Sequence, residues 1–345
     1  MRFHLNELKK ALLEPNISEH SIVKNLSLVS KRFTSDRSKI TEYVMSRDMV
    51  SAYTLFYLPS NIPKLNFVFD MLDEELLADI SSSRIVDLGT GPGTFAFALD
   101  EYFEGKVEVV GVDSSKLMIE QASKINNELY KNKKINFQKS IPADFDGETL
   151  LLGHSLNEMG LKALLKIVGE YSPRNLIVIE PGTSEVFKEV IKLRTAMAEL
   201  GYSCAYPCAN INSKCPVASK IEEGTEDWCH QVLRMTHDSE FERLSQIVKL
   251  DRKVMPLIAH VYTTSVKCES KKARMIRFLR ESKFSFDWEV CYERDGELVS
   301  ANFEVVKRGL SKKEVKQMQK LSVGIDVEYE VIKELSKDHI RVKLL

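Results

Sequence analysis

The order of apolar and polar positions changes character twice along the chain. Through the first 80 residues apolar side chains recur at helical spacing, interrupted at Pro15, Pro59 and Pro63, which predicts a helical lobe ahead of the main domain. From Arg84 to Glu180 short apolar runs alternate with amphipathic stretches. Strands are predicted at 83–87, 107–112, 135–138, 149–153 and 175–180, and helices at 94–103, 115–127 and 158–170. Strand and helix alternating at this spacing imply right-handed crossovers and a parallel, doubly wound α/β sheet of the Rossmann type. A further helix is predicted over 183–199, and there the pattern stops. Residues 201–230 hold Gly, Pro, Ser, Asn and four cysteines without a period. A loop of that length in a compact protein is generally functional or held by something. Beyond it, alternation predicts strands at 257–267, 286–292 and 298–306, and helical spacing returns at 311–320 and 329–336. The expected organisation is therefore a helical lobe (1–80), a sheet domain (81–200), a Cys-rich insertion (201–235) and a small, basic, β-containing C-terminal lobe (236–345).

Composition agrees with this picture. With 43% hydrophobic and 29% charged residues the chain is globular and not disordered. No apolar run reaches the ~18 residues needed to span a bilayer. The first sixteen residues mix Glu7 and Glu14 with their lysines, unlike a secretory or transit peptide. A cytoplasmic protein without a membrane partner is expected. Forty-nine Lys and Arg against fifty Asp and Glu leave a formal charge of -1, so a polyanionic partner would have to be held by local patches.

The segment Asp87-Leu-Gly89-Thr-Gly91-Pro-Gly93-Thr follows a predicted strand and opens a predicted helix. Gly89 and Gly91 allow a tight turn and close approach to a ligand, and amides at the helix start suit a carboxylate or phosphate. Asp113 ends the second strand, twenty residues after Gly93. A carboxylate there can accept both ribose hydroxyls of a nucleoside. The acidic strand end Val86-Asp-Leu-Gly-Thr-Gly-Pro-Gly93 resembles motif I of class I S-adenosylmethionine (SAM)-dependent methyltransferases more closely than it does a dinucleotide loop. That resemblance implies that Asp87 faces the methionine amine and that Asp144, after the third strand, meets the adenine. A helix or turn cap is the other reading of Asp144.

The fourth strand runs into Gly153-His154-Ser-Leu-Asn157-Glu158 and the fifth into Glu180-Pro-Gly-Thr183, placing polar groups at the carboxyl edge where ligands sit in this architecture. His154, Asn157 and Glu180 are the candidates to orient a methyl acceptor. Core packing for His154 and helix capping for Asn157 and Glu158 stand beside that role. The segment lacks the Asn/Asp-Pro-Pro-Tyr/Phe motif that grips a flipped base, and it lacks a Pro-Cys nucleophile for attack on a pyrimidine carbon.

Four of the six cysteines, Cys204, Cys208, Cys215 and Cys229, fall within 26 residues, and Cys268 and Cys291 lie further on. In a reducing compartment such a cluster calls for a metal or redox chemistry before disulfides. Soft thiolates select zinc or iron-sulfur clusters. The absence of a tight Cys-x-x-Cys pair favours the cluster, while spacing alone leaves zinc open. Cys268 reads as a small buried hydrophobe, and Cys204 reads equally well that way.

Tyr57-Leu-Pro59, the 87–94 loop, His154-Ser-Leu-Asn-Glu158, Ile179-Glu-Pro-Gly-Thr183, Pro207-Cys208, Cys215-Pro216, Trp228-Cys-His230 and Asp295-Gly296 occur in one order. In that order they resemble the methyltransferase-like assembly factors of the mitochondrial ribosomal small subunit, a family with bacterial and archaeal relatives. The resemblance spans about residues 50 to 308 and leaves the last 37 outside it. It implies a SAM-binding domain and a 4Fe-4S cluster on four cysteines, the fourth lying far downstream before an Asp-Gly turn. Cys291 fits that place beside Cys208, Cys215 and Cys229, and Cys204 does not. One departure concerns the first ligand: the family commonly has Cys-Pro-His there, whereas Cys208 is followed by Ala209-Asn210, and the gap to Cys215 is slightly longer.

Two basic stretches bear on an RNA partner. Lys271-Lys-Ala-Arg274-Met-Ile-Arg277-Phe-Leu-Arg280 carries five positive and no negative charges in ten residues. Lys31, Arg32, Arg37, Lys39 and Arg47 precede Tyr53, Phe56 and Tyr57, aromatics better suited to a core than to base stacking. A solvated element face is the bland reading of the first stretch. The sequence thus points to a SAM- and 4Fe-4S-containing protein acting on the small ribosomal subunit or its rRNA. Its rivals are a non-catalytic assembly factor that keeps both ligands structurally, and a zinc-containing small-molecule methyltransferase.

Overall fold

The computed structural model describes residues 3–34, 46–224, 228–266 and 272–345. Of the residues singled out above, Arg37, Lys39, Cys268 and Lys271 lie outside them. The chain divides into two compact units, Met1–Glu180 with Leu233–Met255, and Pro181–Val232 with Pro256–Leu345.

Among the described residues of the first unit four helices precede the sheet: α1 (Leu5–Lys10), α2 (Glu19–Thr34), α3 (Arg47–Phe69) and α4 (Glu74–Ser81). Helix α3 corrects one expectation, because Pro59 and Pro63 lie inside it without ending it. A proline in a helix interior costs ~3 kcal/mol. Here burial offsets that cost: α3 is apolar around most of its circumference and most of its residues are buried. The hydroxyls of Thr54 and Ser60 add bonds to the carbonyls of Val50 (2.7 Å) and Phe56 (3.0 Å).

The sheet follows as β1 (Ile85–Leu88), α5 (Thr94–Tyr102), β2 (Val109–Val112), α6 (Lys116–Ile125), β3 (Ile135–Gln138), β4 (Thr149–Gly153), the short α7 (Leu156–Met159), α8 (Leu161–Tyr171) and β5 (Asn175–Pro181). The strands run parallel in the order β3-β2-β1-β4-β5, with Ile85 opposite Val109 on one side and Thr149 on the other. Every residue of β1, β2 and β4 is buried, which is why these strands read as continuous apolar runs. Chain order reverses between β1 and β4, so their carboxyl ends form the switch point where ligands bind in doubly wound sheets.

The second unit opens with α9 (Ser184–Glu199). The stretch expected to be irregular contains β6 (Ser203–Tyr206) and α10 (Pro216–Glu222), followed by β7 (Gln231–Arg234). Helix α11 (Ser239–Val248) returns to the first unit, and β8 (Val254–Thr263) brings Thr263 antiparallel to Ser203 of β6. The remainder forms a six-stranded sheet in the order β12-β9-β10-β11-β14-β13. Its strands are β9 (Ala273–Glu281), β10 (Ser285–Arg294), β11 (Glu297–Val306), β12 (Asp326–Val327), β13 (Tyr329–Ser336) and β14 (His339–Leu344), with α12 (Lys312–Met318) before β12. Trp288, Val290 and Tyr292 from β10 pack with Phe303 and Val305 from β11 and with Ile340 and Val342 from β14. The predicted helix at 329–336 is a strand. Val331, Ile332 and Leu335 have a spacing that also suits a helix, but Val331 pairs with Val342 in a ladder at the sheet edge. Among the described residues no helix is long and apolar enough to cross a membrane.

Candidate functional site

The three glycines after β1 serve different ends. A Cβ on Gly89 would stand 2.4 Å from the Ser155 Cβ, and one on Gly93 would stand 2.6 Å from the Phe97 ring, so packing demands both glycines. Gly91 also has positive φ (55°), yet a Cβ there would meet nothing within 4 Å. It is the open point of the loop. Beneath it Asp87 is wholly buried, and its Oδ2 accepts from the Thr90 hydroxyl (2.6 Å) and the Ala96 amide (3.1 Å). Burial pushes this carboxyl up to about 7. Asp87 thus braces the loop onto α5, and its Oδ1 has no protein partner among the described residues.

Asp113 ends β2 and spans two elements, accepting from the Gly91 amide (2.9 Å) and the Ser115 amide (2.8 Å). Each oxygen keeps acceptor capacity. Asp144 is not brought to this loop. Its exposed carboxylate pairs with Arg84 at 3.2 Å, immediately before β1 and so at the amino edge of the sheet. The adenine role expected of it has no support from that position.

At the carboxyl edge of β4, His154 takes up left-handed backbone (φ 61°), and its Nε2 lies 2.9 Å from Lys64 Nζ on α3. Lys64 is buried, and burial together with Arg252 holds its pKa well below the usual lysine range. Burial and Lys64 likewise hold His154 well below the imidazole range. Arg252 is itself fixed by Asn61 Oδ1 (2.9 Å) and by the Tyr57 ring. Neither Lys64 nor Arg252 was singled out from the sequence; a lysine inside an otherwise apolar helix is the signal that marks Lys64. Next to His154, Ser155 Oγ donates to Leu88 O (2.8 Å), and Glu180 accepts from the Leu156 amide (2.7 Å). Burial raises Glu180 to about 8. Its Oε2 has no partner among the described residues. Asn157 is exposed on α7. The structure therefore brings His154 and Glu180 together around the 154–156 turn and leaves Asn157 on the surface.

The cysteines gather in the second unit. Cys208 follows β6 and a cis Tyr206–Pro207 bond, and Cys215 precedes α10 with Pro216 in the first turn. Trp228 is pinned by its indole N–H to Gly182 O (3.1 Å), which fixes the entry to Cys229. Cys291 and Glu289 share one face of β10, opposite the core face of Trp288 and Val290, because side chains alternate along a strand. The loop is stitched to the β10–β11 hairpin: Asn210 Nδ2 donates to Gly296 O (2.7 Å), the Ser213 hydroxyl to Glu297 Oε2 (2.7 Å), and the Leu298 amide to Ser213 Oγ (2.7 Å). As a result Cys208, Cys215, Cys229 and Cys291 line one cavity with His260 and Arg274. Burial and the other three thiols raise the Cys291 thiol, and burial pushes Cys229 up to about 12. A second group was missed in the sequence. The ligand atoms of Cys204, Cys208 and His260 lie within 4.8 Å of one another, compact enough for a single metal ion. His260 is kept neutral by burial, its pKa pushed down to about 3, and Tyr262 OH occupies its Nδ1 at 2.8 Å.

The basic stretch on β9 is largely spoken for. Arg274 is buried and bonds Asp326 (2.7 Å), Gly324 O (2.6 Å) and Pro207 O (3.2 Å). Arg277 pairs with Glu289 at 2.6 Å and Arg280 with Asp287. Arg47 bridges Glu14 and Glu120 in the first unit.

A parallel sheet in the order β3-β2-β1-β4-β5, with an open glycine loop after β1 and an acid after β2, defines a doubly wound α/β ligand-binding fold. The chain belongs to the family described as mitochondrial small ribosomal subunit Rsm22, which it matches over residues 47–310. The resemblance read from the motif order is borne out at this level. Among solved structures the chain is similar to a SAM-dependent methyltransferase from Aquifex aeolicus, at 20% identity and a TM-score of 0.31, over 42% of this chain and 89% of that one. It is also similar to a SAM-dependent methyltransferase from Thiobacillus denitrificans in complex with S-adenosylhomocysteine (15%, 0.31, 59% and 96%) and to M. capricolum TrmK in complex with S-adenosylhomocysteine (13%, 0.31, 58% and 71%). No curated protein matches the chain.

Proposed function

We propose that this protein binds SAM on the 87–93 loop, carries a 4Fe-4S cluster on Cys208, Cys215, Cys229 and Cys291, and works on the small ribosomal subunit or its rRNA. Gly91 carries the first part. It is the one glycine of the loop that packing does not require, and its open side is bounded by Asp113, whose oxygens can still accept hydroxyls. The orphaned Asp87 Oδ1 is a further acceptor available to an amine. Calorimetry tests it: wild-type protein should bind SAM, and Gly91→Arg, which fills the open side, should bind none. Wild-type affinity in the variant would remove the site.

Four thiols around one buried cavity, with cationic Arg274 beside them, suit a cluster that takes four thiolates and carries net negative charge. The cluster would supply a cross-link between the loop and β10. Cys204, Cys208 and His260 support a zinc reading instead. Anaerobic protein that is brown, with iron and acid-labile sulfide in near-equal amounts, would decide for the cluster, and colourless protein with stoichiometric zinc would decide against it.

A non-catalytic reading is favoured by one observation. Of the three acceptor-orienting candidates, Glu180 holds the Leu156 amide, His154 is engaged by Lys64, and Asn157 is exposed. Tritium transfer from labelled SAM to purified small-subunit RNA separates an enzyme from an assembly factor. The pairing of Arg274, Arg277 and Arg280 with Asp326, Glu289 and Asp287 speaks against an RNA contact through β9.

A further inference from the structure

Arg194 sits on α9 and is almost wholly buried, with 3% of its surface exposed. Its Nη2 donates to Asn210 O and Ser213 O, both at 2.7 Å, and these carbonyls lie between Cys208 and Cys215. Arg194 and Cys215 line one pocket, and, against burial, the Cys208, Cys215 and Cys204 thiols hold the Arg194 pKa above the usual arginine value. Among the described residues no carboxylate pairs with it, and its Nε has no partner. Arg274, which lines the cavity of the four thiols, is different, because Asp326 pairs with it at 2.7 Å.

A buried guanidinium cannot shed its proton, and a buried charge without a counter-charge is unfavourable. The two carbonyls that Arg194 holds lie between Cys208 and Cys215, and Cys215 shares its pocket, so these thiolates are placed to supply a balancing negative charge. Four thiolates on an oxidised 4Fe-4S core leave a net negative cluster, and reduction adds a further electron to it. A fixed positive charge in a low-dielectric wall stabilises both states and favours the reduced one more.

We infer that Arg194 is the built-in counter-charge of the cluster, the residue that holds the cluster in the protein and sets its reduction potential. This rests on the cluster reading above. It is a positioning role, exerted on the cysteine ligands by its charge.

The test uses full-length protein reconstituted anaerobically, comparing wild type with Arg194→Lys and Arg194→Gln by redox titration and by iron release to a chelator. Arg194→Lys, which keeps the charge but loses the forked bonds to both carbonyls, should stay close to wild type in potential. Arg194→Gln should titrate at lower potential and release iron several-fold faster. If Arg194→Gln holds no cluster while Arg194→Lys does, the charge is again what matters. Unchanged potential in Arg194→Gln would overturn the inference. So would equal impairment of both variants, which would assign the effect to loop anchoring. SAM binding by each variant serves as the control for folding of the first unit. Wild-type protein that takes up no iron would instead defeat the cluster reading.

Discussion

At the scale of single residues, the carboxyls under the ligand loop give the protein an unusual dependence on pH. Glu180 is raised from 4.5 to about 8 and Asp87 from 3.8 to about 7, both chiefly by burial. In the folded state each keeps a proton that the unfolded chain releases near pH 4, so folding binds protons. The stability they contribute is full below about pH 4 and is lost as pH rises through 7 and 8, at ~1.4 kcal/mol for each tenfold difference in proton affinity between the folded and unfolded chains. This is opposite in sign to a salt-bridged carboxylate. Glu180→Gln keeps an oxygen to accept from the Leu156 amide and cannot ionise. Urea midpoints should fall between pH 5 and 8.5 in wild type and fall less in Glu180→Gln, with the variant gaining on wild type as pH rises. Parallel slopes would show that Glu180 is not the proton carrier.

At the scale of elements, α3 shows what pattern reading catches and what it misses. The alternation from Ile85 to Pro181 is legible because each buried parallel strand is an apolar run and each covering helix has a 3.6-residue period. Pro59 and Pro63 read as breaks because local cost is visible in sequence and tertiary burial is not. Val331, Ile332 and Leu335 mislead for the converse reason: their spacing fits a helix, and only pairing with β14 decides for a strand. The glycine loop and the four cysteines are legible as motifs. The Lys64–His154 contact joins residues 90 positions apart and leaves no local trace, and the same holds for Arg194 and for His260 beside Cys204. Helix α3 also yields a test. Ser60 is buried, donates to Phe56 O and receives Arg252 Nε at 3.3 Å. Ser60→Ala should cost about 1 to 2 kcal/mol in urea unfolding, since it strands a buried donor. A change within a few tenths of a kcal/mol would mean that packing alone carries α3 through its prolines.

At the scale of the whole molecule, the proposed ligands separate by unit. The residues of the SAM loop all belong to the first, and every cysteine of either metal set belongs to the second. Loss of metal should therefore leave SAM binding intact. Cys208 is common to both metal sets and cannot discriminate between them. Cys291 and Cys204 can. Cys291 is the one ligand of the cluster set on the six-stranded sheet, so closing the cluster ties the 208–229 loop to β10 in addition to the hydrogen bonds from Asn210 and Ser213. Cys291→Ser should lose iron, turn colourless and become more open to protease across 273–306, while its SAM isotherm matches wild type. Cys204→Ser should stay brown, because Cys204 is buried against Tyr206 O (3.1 Å) and stands outside the cluster set. The opposite pattern, with metal lost in Cys204→Ser and retained in Cys291→Ser, would select Cys204, Cys208 and His260 as the ligands. It would also leave the β10–β11 hairpin held by hydrogen bonds alone and take away the cluster on which the counter-charge role of Arg194 rests.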